Sequence, residues 1–478
     1  MKNVSALEEK KAKFGFIDKL AYAAGDFGCN MSFALKGTLT VFWTQFMGID
    51  SILFAALLLI VQVWDAINDP LIGSIIDADR RKYKLGKFRT YIFVGSIGLV
   101  LGGALCFVPV PNAPSMAKNI IFVAGYVLWD AFYTIANVPY GSMLPLISAD
   151  AGERAQLSTW RSIGAIVGNA PTLLILPMFI YDDNDNLIGE RVFFVAIIMG
   201  VLGFIALQFM IRNTVERVDL SIQVKEDAPK FNFFKAVGNF CRNRGALGVT
   251  LAAVAAFIGS YGGQTASTVM FQSYFHNAKI SGLLTVLAYL PTLFFMPFVK
   301  RIVSKWGKKE SAAVTTIIPI LTCSIMLFMP ITPDNKGVLI FFLIQAISGL
   351  GQGVYACINY SMMADAIDYN EWKFGTRDEG TIYALHSFCR KLAQGVGPSV
   401  GLVLATWMGY VAENKADQTP EVAKNMLILY IVMNLISALL KWIAIAVVYN
   451  IDKKTLAQMQ TELSERRSAN KAETMEEI

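Results

Sequence analysis

Charged side chains are scarce in this chain of 478 residues, making up 16% of it, against roughly a quarter in a soluble protein. Two long stretches, 91–110 and 426–440, contain none at all. A run of about 20 apolar residues matches the hydrocarbon thickness of a bilayer, where the backbone must satisfy its own hydrogen bonds. A large soluble helical protein would instead carry an apolar stripe on each helix. The sequence therefore predicts an all-α integral membrane protein.

The groups that build metal centres and covalent active sites are also few. The chain has two histidines, His276 and His386, and six cysteines without a CxxC pair. A histidine metal cluster is excluded on this count, and no nucleophile with its general base is recognisable. We expect no disulfide, no enzyme activity, and no cofactor other than a co-transported ion.

Twelve apolar windows are long enough for helices that cross a membrane. Their bounds are 18–47, 51–76, 90–110, 118–147, 156–180, 191–212, 245–272, 281–300, 311–330, 337–364, 380–408 and 424–450. Positive residues cluster at 80–89 and 300–309, whereas loops on the other side are bare or acidic, as at 182–185. Because positive loops mark the cytoplasmic side, we predict an inner-membrane protein with both termini in the cytoplasm. The formal net charge of +6 follows from this asymmetry and requires no nucleic-acid partner.

An internal repeat divides the windows into two sets of six. Gly86-Lys87 follows the second window and Gly307-Lys308 the eighth, while Val-Pro-Tyr-Gly-Ser-Met at 138–143 matches Ile-Asn-Tyr-Ser-Met-Met at 358–363 at nearly the same offset. Two parallel six-helix halves with a substrate site between them describe the major facilitator fold. We predict bundles over 1–212 and 245–450, a cytoplasmic middle loop over 213–244 and a cytoplasmic tail over 451–478.

Two carboxylates lie inside the second window, where ionisable groups are costly and usually functional. Asp65 and Asp69 are four residues apart and share a helical face, and Asn68 adds a neutral oxygen. Repulsion between the carboxylates is relieved by a shared proton or small monovalent cation. The alternative is a pair of acids near water at a helix end, but the positive run starts only at Arg80. The pattern favours a cation site, with Na⁺ as a possible metal ion.

The eleventh window carries His386, Arg390 and Lys391. Lys391 lies too deep to reach water easily, so it needs a counter-charge, for which the acids of the second window are candidates. Arg390 either faces a cavity or extends to the interface. His386 either binds a sugar or is a packed, hydrogen-bonded imidazole.

The fourth window places Asp130, Thr134 and Asn137 on one stripe, with aromatic residues such as Tyr133 beside it. Aromatic rings in this position either stack on a sugar or face lipid and core.

The first window contributes Asp26, Asn30 and Lys36, spaced at i, i+4 and i+10. Arg161 begins the fifth window and either binds substrate or marks the cytoplasmic boundary.

Taken together, these residues resemble the glycoside–pentoside–hexuronide:cation symporters, the family of the melibiose permease. The matching segments cover nearly the whole chain and are 19–22, 25–28, 64–70, 86–89, 133–135 and 364–369. The resemblance implies a cation site at Asp65, Asn68, Asp69 and Thr134, next to Lys391. It also places Arg161 on a sugar-binding arginine.

Four positions depart from the melibiose-type pattern. This chain has Asn137 and Gly141 where that pattern has Asp and Trp, and Cys29-Asn30 where it has Lys-Asp. The run 135–142 looks more like the glucuronide and xyloside members. Melibiose itself is therefore in doubt as the substrate.

We expect a secondary transporter that imports a sugar or glycoside, with a hexuronide or pentoside as candidates, by symport with Na⁺ or H⁺. The substrate contacts expected on this reading are Asp26, Asn30, Tyr133, Asn137, Arg161, His386, Arg390 and Lys391. Excess positive charge in this set favours an acidic sugar, unless Asp26 or Asp130 neutralises Arg161. The alternatives are a lipid or drug carrier on the same scaffold and, from other classes, a membrane sensor or enzyme.

Overall fold

The computed structural model of the protein describes residues 14–79, 81, 83–148, 150–217, 233–375 and 379–476. Arg80 and Lys82 of the positive run, and 218–232 of the predicted middle loop, lie outside these residues. The long helices are α1 Phe16–Phe33, α2 Ser51–Ala78, α3 Lys87–Cys106, α4 Ser115–Ser142, α5 Ala151–Ile180, α6 Gly189–Asn213, α7 Arg244–Ser273, α8 Gly282–Phe295, α9 Lys308–Phe328, α10 Asn335–Phe374, α11 Glu379–Trp407, α12 Pro420–Ile443 and α13 Lys453–Glu476. The all-α prediction is confirmed.

Ten helices in the described part of the chain are long and apolar enough to cross a membrane. The other two predicted spans correspond to α1, which is short and carries several charges, and to α11, which carries Arg390 and Lys391. The count of twelve spans therefore stays a prediction.

The helices fall into two compact units, each with its own internal packing. In unit 1, α1 packs against α5 and α6, α3 against α4 and α6, and α2 against α4. This unit also takes in the short segments Ala278–Gly282 and Val411–Ala416. In unit 2, α7 packs against α10, α11 and α12, and α9 packs against α10 and α12.

The repeated Gly-Lys turns have the same backbone conformation in the two units. Gly86 precedes α3 with φ +88° and ψ 154°, and Gly307 precedes α9 with φ +98° and ψ 160°. Glycine adopts these angles without strain, whereas other residues rarely do. On either side of the first turn, Tyr83 and Tyr91 donate hydrogen bonds to Asp79 and lower the pKa of its carboxyl to about 2.

Helix 1 is not the continuous span expected over 18–47. After α1 the chain forms a 3-10 segment at Ala34–Thr38, a short helical turn at Leu39–Val41 and a π-helical segment at Phe42–Phe46. Gly37 weakens the helix here, and Thr38 Oγ1 donates to the Leu35 carbonyl in competition with the regular ladder. The irregular segment contains Lys36.

Two other helices end at different places from those expected. α8 ends at Phe295 rather than near 300, because the chain meets Pro297 and the residue before a proline disfavours helical angles. A separate charged helix, Val299–Trp306, follows. α10 runs ten residues beyond its predicted end and closes at Gly375, which is left-handed with φ +73°. The predicted tail contains a helix, α13.

Candidate functional site

A buried ion cluster connects the irregular segment of helix 1 with α2 and α4. The Lys36 Nζ atom lies 3.2 Å from Asp65 Oδ2 and 3.7 Å from Asp130 Oδ1. It also lies 5.0 Å from the centre of the Tyr126 ring. The three charged side chains are at most 16% exposed, so their attraction is weakly screened by solvent.

A hydrogen-bonded network extends from this cluster along α2 and α4. Asn68 is 1% exposed, and its Nδ2 donates to Asp130 Oδ2 at 3.2 Å and to Thr134 Oγ1 at 3.1 Å. Thr134 in turn donates to Asp69 Oδ1 at 2.8 Å. The structure thus brings together the four predicted cation-site residues and adds Asp130 to them.

The arrangement of the carboxylates bears on the kind of cation that this network could hold. Among the described residues, no group of three or more His, Cys, Asp or Glu side chains is arranged to hold a metal ion. A cation in this region would therefore draw on one or two carboxylates and on neutral oxygens, as a small monovalent ion can. The ammonium of Lys36 already lies within contact distance of two of the carboxylates.

A second polar cluster lies in the same unit, between α1 and α5. The guanidinium Nε of Arg161 is 3.3 Å from Asp26 Oδ1. Asn30 donates to Asp26 Oδ2 at 3.2 Å and accepts from Asn169 at 3.0 Å. The helices approach closely because α5 has Gly164 opposite α1, where an added Cβ would lie 2.1 Å from the Ala23 carbonyl oxygen.

Aromatic residues flank the Arg161 side chain. Its guanidinium carbon lies 5.0 Å from the centre of the Tyr140 ring. Tyr140 is fully buried and donates to the Tyr22 carbonyl at 2.6 Å. Arg161 itself remains 36% exposed. It is therefore held in place by Asp26 and Tyr140 while part of it stays accessible.

Two predicted substrate residues, Tyr133 and Asn137, lie on α4 between residues of the two clusters, Asp130 and Tyr140. Asn137 Oδ1 is buried and has no hydrogen-bond partner, which is costly for a polar atom unless a ligand or water completes it. Tyr133 is half-buried. The unsatisfied oxygen of Asn137 is the clearest open acceptor among the predicted substrate residues.

The remaining predicted residues lie in unit 2, on α11. His386 is 4% exposed and its Nδ1 lies 3.0 Å from Thr250 Oγ1, so it is a packed and hydrogen-bonded imidazole in this structure. Arg390 Nη1 donates to Tyr360 Oη at 2.5 Å, and its guanidinium lies against the Phe257 ring. Lys391 is half-buried on the same helix.

Sequence reasoning missed the roles of Lys36 and Asn169. Lys36 stands on the same predicted helix as Asp26 and Asn30, but it contacts the carboxylates of α2 and α4 instead. The signal that could have identified it is a lone lysine deep in an apolar window, which needs a carboxylate partner. Asn169 lies eight residues after Arg161, a spacing that places both on one face of α5.

These features define a membrane transporter of the major facilitator type, with polar clusters buried among its helices. The solved structure of a D-xylose-proton symporter has the same fold, with a TM-score of 0.57 and 14% identity over 89% of this chain and 97% of that one. The family model described as MFS/sugar transport protein matches residues 21–453. The chain belongs to this family of sugar transporters.

Curated relatives agree with this assignment. The uncharacterised symporter YnaJ of Bacillus subtilis is 30% identical, over 96% of this chain and 97% of its own length. The isoprimeverose transporter of Lactiplantibacillus pentosus is 28% identical, over 83% of this chain and 81% of its own length. The glucuronide carrier protein homolog of Escherichia coli is 26% identical, over 84% of this chain and 86% of its own length. The resemblance to the glycoside–pentoside–hexuronide:cation symporters is confirmed.

Proposed function

We propose that this transporter imports a glycoside by symport with a monovalent cation, Na⁺ or H⁺, through alternating access. The observation that carries the proposal is the buried network of Asp65, Asn68, Asp69 and Thr134, joined by Asp130. A passive sugar channel or a lipid carrier has no need for three carboxylates inside its helices, where each is costly. A coupling cation gives them a purpose, because binding it compensates their charge.

The cluster around Arg161 supplies the part of the sugar site that lies in unit 1. Arg161, Asp26, Asn30 and Asn169 offer alternating donors and acceptors, which suits the hydroxyl groups of a sugar. The unsatisfied Asn137 Oδ1 adds an acceptor from α4. The two clusters are linked through the chain, because Lys36 follows α1 directly and α4 carries Asp130 and Thr134 as well as Asn137. An ion that reorganises one cluster therefore changes the other. Each ligand then raises the affinity for the other by the same factor.

The charge balance of the sugar cluster bears on the class of substrate. Asp26 already neutralises Arg161 at 3.3 Å, which removes one of the positive charges that favoured an acidic sugar. A carboxylate on the substrate would have to compete with Asp26 for the guanidinium. We therefore propose a neutral pentoside or hexoside, as the name of the isoprimeverose transporter suggests for one relative. The glucuronide carrier homolog represents the alternative.

The protein acts as a transporter and not as an enzyme on this proposal, since the clusters bind and release ligands without covalent chemistry. It lies in the inner membrane with both termini in the cytoplasm. Arg81 and Lys84, between α2 and α3, and Lys87, at the start of α3, favour this orientation.

The test is counterflow and active accumulation of labelled glycosides in membrane vesicles. Accumulation should require an imposed Na⁺ or proton gradient and should collapse when an ionophore removes it. Accumulation that is indifferent to every cation gradient would contradict symport. Transport of an apolar lipid or drug in preference to any sugar would favour the rival carrier function.

A further inference from the structure

The position of Lys36 is unusual for a residue of a cation site. It lies in the 3-10 segment that interrupts helix 1, between Leu35, which is buried, and Gly37. Its side chain is 15% exposed, and the ammonium reaches into the space between α2 and α4. A positive group therefore occupies the region in which a coupling cation would have to bind.

The partners of Lys36 are the same carboxylates that a cation would use. Asp65 Oδ2 lies 3.2 Å from Nζ. Asp130 Oδ1 lies 3.7 Å from Nζ, is buried and accepts no hydrogen bond. A buried carboxylate oxygen that accepts no hydrogen bond is unsatisfied, and this one faces the Lys36 ammonium. The geometry leaves it open to a cation that approaches more closely than the ammonium does.

The two kinds of cation are mutually exclusive at these oxygens. An ammonium carries the same charge as Na⁺ or Li⁺, and like charges a few ångströms apart repel strongly when they are shielded from water. The four-carbon stem of Lys36 lets the ammonium swing aside without leaving the protein. A free ion must therefore displace a tethered one.

We propose that Lys36 is a tethered ammonium ion that competes with the coupling cation for Asp65 and Asp130, and so sets the affinity of the transporter for Na⁺ and Li⁺. The inference rests on the cation symport proposed above and adds a determinant of ion affinity to it. A purely structural ion pair would behave differently, because its removal would weaken the cluster without improving ion binding.

The experiment measures equilibrium binding of ²²Na⁺ to the purified, reconstituted protein, with choline as the inert cation. The Kd for Na⁺ should fall at least about tenfold in Lys36→Met, a change equivalent to about 1.4 kcal/mol. Lys36→Arg keeps the tethered charge and should keep the weak affinity. Lys441→Met removes a second buried lysine, from unit 2, and is the matched control that should leave the Kd unchanged.

A stability measurement guards against a variant that folds poorly. Removing Lys36 leaves two buried carboxylates without their cation, so Na⁺ should raise the Tm of Lys36→Met more than that of the wild type, by ligand linkage. Asp69→Asn added to Lys36→Met should weaken the gained binding, which locates the ion in this network. An unchanged or weaker Na⁺ affinity in Lys36→Met, with no Na⁺-dependent rise in Tm, would overturn the proposal.

Failure of the inference can be told apart from failure of the proposed function. If Asp65→Asn abolishes Na⁺ binding in the wild-type background while Lys36→Met changes nothing, symport stands and the competition is refuted. If neither the wild type nor Lys36→Met binds Na⁺ or Li⁺, and sugar accumulation ignores every cation gradient, symport itself is refuted and the inference with it.

Discussion

Each unit of the protein buries a lysine, and the two lysines have different surroundings. Lys36 in unit 1 lies within 3.2 and 3.7 Å of two carboxylates. Lys441 in unit 2 is 1% exposed, donates to Gln352 Oε1 at 2.9 Å and lies 5.3 Å from the Tyr355 ring. No carboxylate of the described residues forms an ion pair with it.

The charge of Lys36 is compensated by carboxylates, whereas the charge of Lys441 is stabilised only by protein dipoles. A buried ammonium with carboxylate partners can be exchanged for another cation, because the negative charges remain to receive it. An ammonium held by an amide and an aromatic ring offers a free cation nothing to bind. Cation coupling is therefore expected to depend on unit 1 and to be insensitive to Lys441.

The largest effect should come from the acids of α2. Asp65→Asn or Asp69→Asn should abolish cation-driven accumulation while the protein still inserts and folds, because the amide keeps the shape but loses the charge that the ion needs. Downhill sugar exchange should partly survive. Accumulation and counterflow in vesicles measure the two activities separately.

Asp50→Asn is the matched control for these variants. Asp50 lies on the same helix at its N-cap, where it accepts a hydrogen bond from the Leu53 amide at 2.8 Å, and Asn caps a helix about as well. This variant should accumulate sugar normally. Concentration of substrate against a gradient by either α2 variant would show that the cation binds elsewhere.

A smaller effect is expected at Asn137, whose buried Oδ1 lacks a partner. Asn137→Ala should weaken sugar affinity about tenfold, the equivalent of one hydrogen bond of about 1–1.5 kcal/mol. The affinity for the cation should stay within about twofold, because an amide does not supply the charge. Binding of sugar and of ²²Na⁺ to the same preparation measures the loss of affinity for each ligand. Equal losses for both ligands would assign Asn137 to the cation site.

The helical architecture and most members of the polar network of α2 and α4 could be predicted because they depend on local patterns. The acids Asp65 and Asp69 share a face by their spacing alone, and Asn68 lies beside them. The partner of Asp65 could not be predicted in the same way. The pairing with Lys36 depends on a break in helix 1 and on the packing of α4 against α2, neither of which leaves a clear local signal.

The cluster around Arg161 shows the same limit. The sequence identifies Arg161 and Asp26 as separate candidates and does not indicate whether one neutralises the other. The answer depends on how closely α5 approaches α1, which is set by contacts such as that of Gly164 with the Ala23 backbone. For Lys391, the expected pairing with α2 remains a prediction.

The charge of the substrate tests the cluster around Arg161 and Asp26, and a smaller effect is expected here. A neutral glycoside should compete severalfold better than the matching uronide, because Asp26 already occupies the Arg161 guanidinium. Asp26→Asn removes that carboxylate and should shift the preference towards the uronide, since Arg161 is then free to form a bidentate contact with an acid. Competition against one labelled sugar measures both ratios. A preference of the wild type for the uronide would contradict the neutral-substrate proposal.

The smallest effect should come from Lys441, the buried lysine of unit 2 that is compared with Lys36. Lys441→Met fills about the same volume without a charge, so the desolvation of the ammonium is removed while the hydrogen bond to Gln352 is lost. The first change stabilises, and the second costs about 1–3 kcal/mol because a buried acceptor loses its donor. The two should nearly cancel, leaving the free energy of unfolding within about 1 kcal/mol of the wild type.

Thermal unfolding in choline and in NaCl measures this stability. The difference in Tm between the two salts should be no larger for Lys441→Met than for the wild type. Lys36→Met, in contrast, should lose stability in choline and regain it in NaCl. A large fall in Tm for Lys441→Met in both salts would show that unit 2 holds its lysine as strongly as unit 1 does, and that the two ammonium groups do not differ in the way their neighbours indicate.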